Sequence, residues 1–195
     1  MPLYVLRKFA LTTNFNFMVR FMNYSKKSFE SFLNEEKKSL SESGIKLLDS
    51  TVDNVYDRMF WYNGLLMSCS LFEEELYNIS SSVNPMKENE RRFGLERHKK
   101  AISDANLASG LFSGTAWSTI SDGFKLRHCI MHANGRIDRS RKIDNRLKDP
   151  KYFTVKNHRI HLNPVFVGKV QDAMQDFLEI AIAAQSGGKD GAQIG

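Results

Sequence analysis

At 195 residues the chain is the size of one domain with appendages, long enough to bury a substantial core. Hydrophobic residues make up 42% and charged residues 26%, an ordinary globular composition that excludes general disorder. A formal net charge of +6 and an isoelectric point near 9.3 are compatible with an anionic partner, RNA foremost, and equally with a merely basic surface.

Cys69 and Cys129 stand sixty positions apart, each inside an apolar helical pattern. A disulfide scaffold needs more cysteines in a shorter chain, so a reducing cytoplasm is expected. No run approaches the roughly 18–20 consecutive apolar residues of a membrane span, and no membrane partner is expected. Residues 1–24 carry Arg7, Lys8 and Arg20, and no acid precedes Glu30. They lack the compact apolar run and small-residue cleavage site of a targeting peptide. They read as a basic extension, most simply the product of an upstream start codon, with the folded part expected from about Met22. The boundaries that follow are a basic extension over 1–24, a helical domain over 25–184 and a tail over 185–195.

Phe29, Phe32, Leu33 and Leu40 fall at helical spacing over 25–43, with Gly44 as a natural stop. The longest periodic run includes Val52, Met59, Phe60, Leu66, Leu71, Leu76 and Ile79. It predicts a core helix over 50–80, with Gly64 a weak point. Asn84-Pro85 has the form of a helix start, an N-cap followed by a proline whose missing N–H costs nothing there. The helix it opens is charged through Arg91, Arg92, Arg97, Lys99 and Lys100 and stops by Gly110. Trp117, Ile120, Phe124, Ile130 and Met131 predict a fourth helix over 116–132, ended by Asn134-Gly135, both tolerant of left-handed backbone. Residues 136–150 are charge-rich without a period and read as an exposed loop. Segments 153–155 and 159–162 flank Lys156-Asn157-His158 as a short β-hairpin. Asn163-Pro164 then opens a last helix with Val167, Val170, Met174, Phe177, Leu178 and Ala181 on one face. The Gly-rich tail is expected to be disordered. The expected fold is mainly α, a bundle of four to five helices with a small β-hairpin before the last helix.

Chemistry concentrates in LRHCIMHANGRID at 126–138, which places a guanidinium, two imidazoles and a helix-ending turn within ten residues. Arg127 keeps its charge and offers a planar fork of donors suited to phosphate oxygens. The imidazole of His132 takes and gives protons near neutral pH. Together they suit RNA cleavage without a metal, the imidazole deprotonating a ribose 2′-hydroxyl and Arg127 stabilising charge at phosphorus. Five residues of α-helix span about 140° of rotation and 7.5 Å of rise, so the pair does not share one narrow face. The Arg side chain must curl round, or a second copy of the helix must complete the site. His128 and His132 do share a face at i and i+4, but two histidines fall short of the three or four protein ligands of a zinc site. Neither a metal nor a cofactor is expected. Taken bare, an Arg and a His five apart are common in a basic chain, and a histidine near a helix end also serves to cap carbonyls.

The stretch resembles the signature of the HEPN superfamily, in which an Arg, a polar residue, a short spacer and a His follow one another. Arg127 matches the Arg, His128 the polar position in place of the commoner Asn, and His132 the His. A helix led by Trp117, the His-x-Asn-Gly ending and the hairpin before a Pro-started helix are similar in order too, and the likeness spans roughly residues 50–180. It implies a helical bundle that forms a homodimer through the motif helices, with both subunits' Arg and His lining one cleft. It also implies a metal-independent endoribonuclease, a toxin or antiviral-defence effector with an antitoxin or another defence component as partner. Members that have lost catalysis bind RNA, a nucleotide or a partner protein, which is the alternative reading. On this resemblance Arg127 contacts the phosphate, His132 is the general base or acid, and His128 and Asn134 support them. Glu73, in LFEEEL, matches an acidic position that orients a basic residue.

The basic loop just past the motif adds Arg136, Arg139 and Arg141 as candidate RNA contacts. The charged helix around Arg97 reads as a solvated face. His158 and His161 read as surface residues and Cys129 as a buried apolar group.

Overall fold

A computed structural model describes residues 3–83, 94–107, 110–140 and 143–190. The fold is mainly α, with a two-stranded antiparallel hairpin before the last helix. In chain order the elements are α1 (Leu3–Lys38), α2 (Glu42–Thr51), a π turn (Val52–Tyr56), α3 (Asp57–Val83), α4 (Leu95–Asp104), α5 (Thr115–Ala133), β1 (Phe153–Lys156), β2 (Arg159–Leu162) and α6 (Pro164–Asp190). No helix among the described residues is long and apolar enough to cross a membrane. Both cysteines are buried, and neither forms a disulfide.

Several local expectations change. The first helix begins at Leu3 rather than near Ser25, so the boundary expected at residue 24 falls inside it. Leu11, Phe15, Met18 and Met22, spaced four, three and four apart, are its buried stripe. Gly44 does not stop that helix. It ends at Lys38, and Ser41 starts α2 by accepting a hydrogen bond from the Gly44 N–H at 3.3 Å. Gly64 is not a weak point, because α3 runs through it and the irregularity lies earlier, in the π turn. The charged helix ends at Asp104, before Gly110, and the residues at which it was expected to begin lie outside the described ones. The segment 136–150 holds two short 3-10 turns, at Ile137–Arg139 and Asn145–Lys148, and Leu147 is fully buried. The last helix continues to Asp190, into the stretch expected to be a disordered tail. Asn84-Pro85, Arg91 and Arg92 lie outside the described residues.

The chain divides into two compact units. The first holds the chain up to Thr13, Ser68–Phe124 and the chain from Gly168. Its core is aromatic, with the Phe177 ring centroid 5.6 Å from that of Phe72 and 5.4 Å from that of Trp117. Gln171 donates to Ser68 Oγ at 3.0 Å inside this core, so neither buried polar group is left without a partner. The start of α1 is tied to α6 through Lys8 and Glu179 at 2.9 Å.

The second unit holds Asn14–Met67 and Lys125–Val167, and with it the motif, the π turn and the hairpin. Phe153 pairs with Leu162 and Lys156 with Arg159 across the hairpin. Asn157 and His158, at φ of 50° and 63°, form its two-residue turn, in which both central residues are left-handed. Asn163 caps α6 by accepting the Val165 N–H at 2.9 Å. A cavity of about 350 Å³ lies between α1, the π turn and the start of α3, walled by Phe29, Leu33, Val52, Tyr56 and Phe60.

Candidate functional site

The motif occupies the last two turns of α5. Leu126, Cys129 and Ile130 are its buried side. Arg127, His128, Met131 and His132 occupy the opposite arc, the first two half-exposed and the last two exposed. That arc spans the same 140° that separates Arg127 from His132, so the two are the edges of one outward surface. The His128 and His132 rings lie side by side, centroids 4.4 Å apart and planes inclined at 45°. Among the described residues no three His, Cys, Asp or Glu side chains are grouped so as to hold a metal ion.

What fixes this surface is the turn that follows it. Asn134, at φ 49°, ends the helix, and Gly135, at φ 71°, returns its N–H to the Cys129 carbonyl at 3.1 Å. This six-residue closure satisfies a carbonyl that the helix end would otherwise leave open. The Gly135 carbonyl accepts the Ile160 N–H at 2.9 Å, the Ile137 N–H donates to the His158 carbonyl at 3.2 Å, and Arg136 forms an isolated antiparallel bridge with Arg159. The chain leaving the motif therefore lies along β2 as a rudimentary third strand. Tyr62, from α3, seals the joint. Its hydroxyl donates to the Ile160 carbonyl at 2.6 Å, and its phenol fills the space that a Gly135 Cβ would need. Burial pushes the Tyr62 hydroxyl up to about 12, against the opposing pull of the neighbouring Arg58 charge.

Of the expected RNA contacts, Arg136 holds Asp138 with both arms, Nε to Oδ1 at 3.2 Å and Nη2 to Oδ2 at 2.8 Å. This pairing raises the Arg136 guanidinium and lowers the Asp138 carboxyl. Arg139 is exposed on the first 3-10 turn, and Arg141 lies outside the described residues. Asn134 acts through its backbone, as the helix end. Glu73 is half-buried on α3 within the first unit, whereas the motif belongs to the second. Cys129 is buried as expected, and its burial pushes the thiol up, away from nucleophilic character. His158 is exposed, but His161 is half-buried, and desolvation with the charges of Lys156 and Arg58 lowers it.

Residue-by-residue reading missed Arg58 and Tyr62. Both belong to the stripe 58, 62, 65, 69, 72, 76 and 79, spaced four and three apart and buried throughout. An arginine in phase with such a stripe was the available signal.

Compared with protein-family models, with curated proteins and with solved structures, the chain matches none.

Proposed function

We propose that the chain is a metal-independent endoribonuclease of HEPN type, a toxin or antiviral-defence effector working as a homodimer through α5. The observation that carries this reading is the end of α5, where Arg127 and two imidazoles 4.4 Å apart share one outward surface on a rigidly terminated helix. The resemblance of the motif supplies the rest. In the proposed reaction a His132 ring nitrogen takes the proton of a ribose 2′-hydroxyl, and the 2′-oxygen attacks the adjacent phosphorus. The bond from phosphorus to the 5′-oxygen breaks, and an imidazolium returns a proton to the departing oxygen. The products are a 2′,3′-cyclic phosphate and a 5′-hydroxyl. Arg127 contributes fixed positive charge where the phosphoryl oxygens gain negative charge. His128 stands beside His132 as a supporting group. Exposed Met131, between the catalytic edges, offers apolar area for the second copy.

The test is cleavage of a broad RNA panel by purified protein in excess EDTA, beside His132→Ala and Arg127→Ala. Cyclic phosphate ends from the wild type, lost in both folded variants, support the proposal. An intact panel with folded, dimeric wild type moves the assignment to a non-catalytic module that binds RNA, a nucleotide or a partner.

A further inference from the structure

Three basic residues lie directly opposite one another on adjacent strands. Lys156 pairs with Arg159 across the hairpin, and Arg159 is bridged in turn to Arg136. Cross-strand partners project from the same face of a sheet, and like charges placed there repel. Asp138 holds Arg136, but among the described residues neither Lys156 nor Arg159 has an ion pair. His161, two residues beyond Arg159, lies on the same face. Asp53 and Asp57 are the carboxylates whose charges reach His161.

Arg58, on α3, is 6% exposed. Its Nε donates to the Asn54 carbonyl at 3.1 Å, its guanidinium carbon lies 5.7 Å from the centre of the Tyr62 ring, and its charge bears on His161. Among the described residues its Nη1 has no hydrogen-bond partner. A guanidinium does not shed its charge, and leaving one of its buried donors unmade is costly. A fold that concentrates like charge on a small exposed sheet face, with the Arg58 charge bearing on His161 in addition, is organised for an anion.

We infer that the face formed by Lys156, Arg159 and His161 binds backbone phosphates of the RNA strand whose scissile phosphate lies at the end of α5. The identity of the strand as RNA rests on the ribonuclease reading. The face itself rests only on the pairing of these residues. It continues from the motif through the peptide backbone, because Arg136 follows Asn134-Gly135 and is itself bridged to Arg159.

The experiment is fluorescence anisotropy with a labelled 2′-O-methyl RNA dodecamer, which has no 2′-hydroxyl to attack, over a salt series. It compares wild type, Lys156→Gln, Lys156→Gln/Arg159→Gln and His132→Ala, with cleavage of unmodified RNA measured in parallel. Each phosphate contact to a single strand contributes about 0.7 to the slope of log affinity against log salt. The double variant is expected to lose about 1.4 of that slope and to bind about 25-fold more weakly at 0.1 M salt. The single variant, at an exposed site that leaves the core intact, is expected to lose about half as much slope. His132→Ala is expected to keep the slope while losing cleavage. A wild type that cleaves RNA while both glutamine variants keep its slope and affinity overturns this face and leaves the ribonuclease reading standing. A slope that falls as expected in a protein that cleaves no RNA does the reverse. A wild type that does not bind the dodecamer overturns the face outright.

Discussion

Replacing Gly135 by Ala tests the joint between the motif helix and the hairpin. At φ 71° an L side chain crowds the following carbonyl, which costs about 1–2 kcal/mol. The new methyl also enters the space of the Tyr62 phenol. That ring cannot swing aside cheaply, because its hydroxyl is bonded to the Ile160 carbonyl and the ring is 2% exposed. Forcing a packed side chain from its place costs about 1–3 kcal/mol more. The expected loss is therefore about 2–5 kcal/mol, read as a lower urea midpoint at an unchanged slope. A double-mutant cycle separates the two parts. Tyr62→Ala is itself destabilising by about 3–5 kcal/mol, but it removes the obstacle, so Gly135→Ala on that background costs only the backbone strain. The expected coupling is about 1–3 kcal/mol. Additive single effects, or a Gly135→Ala protein within about 0.5 kcal/mol of wild type, would mean that Tyr62 does not exclude a side chain at position 135.

Arg58→Met removes a buried cation with an unmade donor while keeping much of its volume. Stability by urea unfolding is expected to stay level or rise by about 1–4 kcal/mol, and a loss above about 2 kcal/mol contradicts the assignment. Tyr62 is neutral in the fold and titrates near 12, whereas the unfolded chain sheds that proton from about pH 10. Above pH 10 the unfolded state binds fewer protons, so this contribution, full below pH 10, declines by roughly 2 kcal/mol by pH 12. Tyr62→Phe is expected to lack this decline, and the wild-type minus variant ultraviolet titration should have its midpoint near 12. His158→Gly relieves left-handed strain of about 1–2 kcal/mol and adds about 0.5–1 kcal/mol of unfolded-chain entropy. A net gain of about 0–1.5 kcal/mol by thermal unfolding is expected, and any loss contradicts it.

What was legible followed from local rules. Asn134-Gly135 ends its helix, Asn163-Pro164 starts one, and the hairpin needs only two short strands around a turn. The start of the first helix was not legible, because Phe9, Phe17 and Phe21 are exposed although they are as apolar as the buried Leu11, Phe15 and Met18. Residue type alone does not separate two apolar faces of one helix. Arg127, His128 and His132 could be picked out because they lie within six residues of chain. Arg58 and Tyr62 could not, because their meaning comes from neighbours about a hundred positions away, as with Tyr62 and Ile160. Ser41 was passed over for a different reason: Gly44 offered a stop, and the competing cap three residues earlier won.

The π turn at Val52–Tyr56 acts as a phase shifter between α2 and α3. Such a turn takes in one residue more than the α-helix on either side, an offset of about 100° around the axis. The two helices therefore run end to end while presenting their side chains in different directions. Deleting any one residue of the turn would let the rod continue as a uniform α-helix and rotate α2 by that angle. The α2 end of the ion pair between Lys37 and Asp49 would turn away from α1, and Val52 would leave the cavity wall. Point substitutions in this stretch keep the residue count and so keep the phase. The length of this segment, more than its letters, is the quantity that the fold holds fixed.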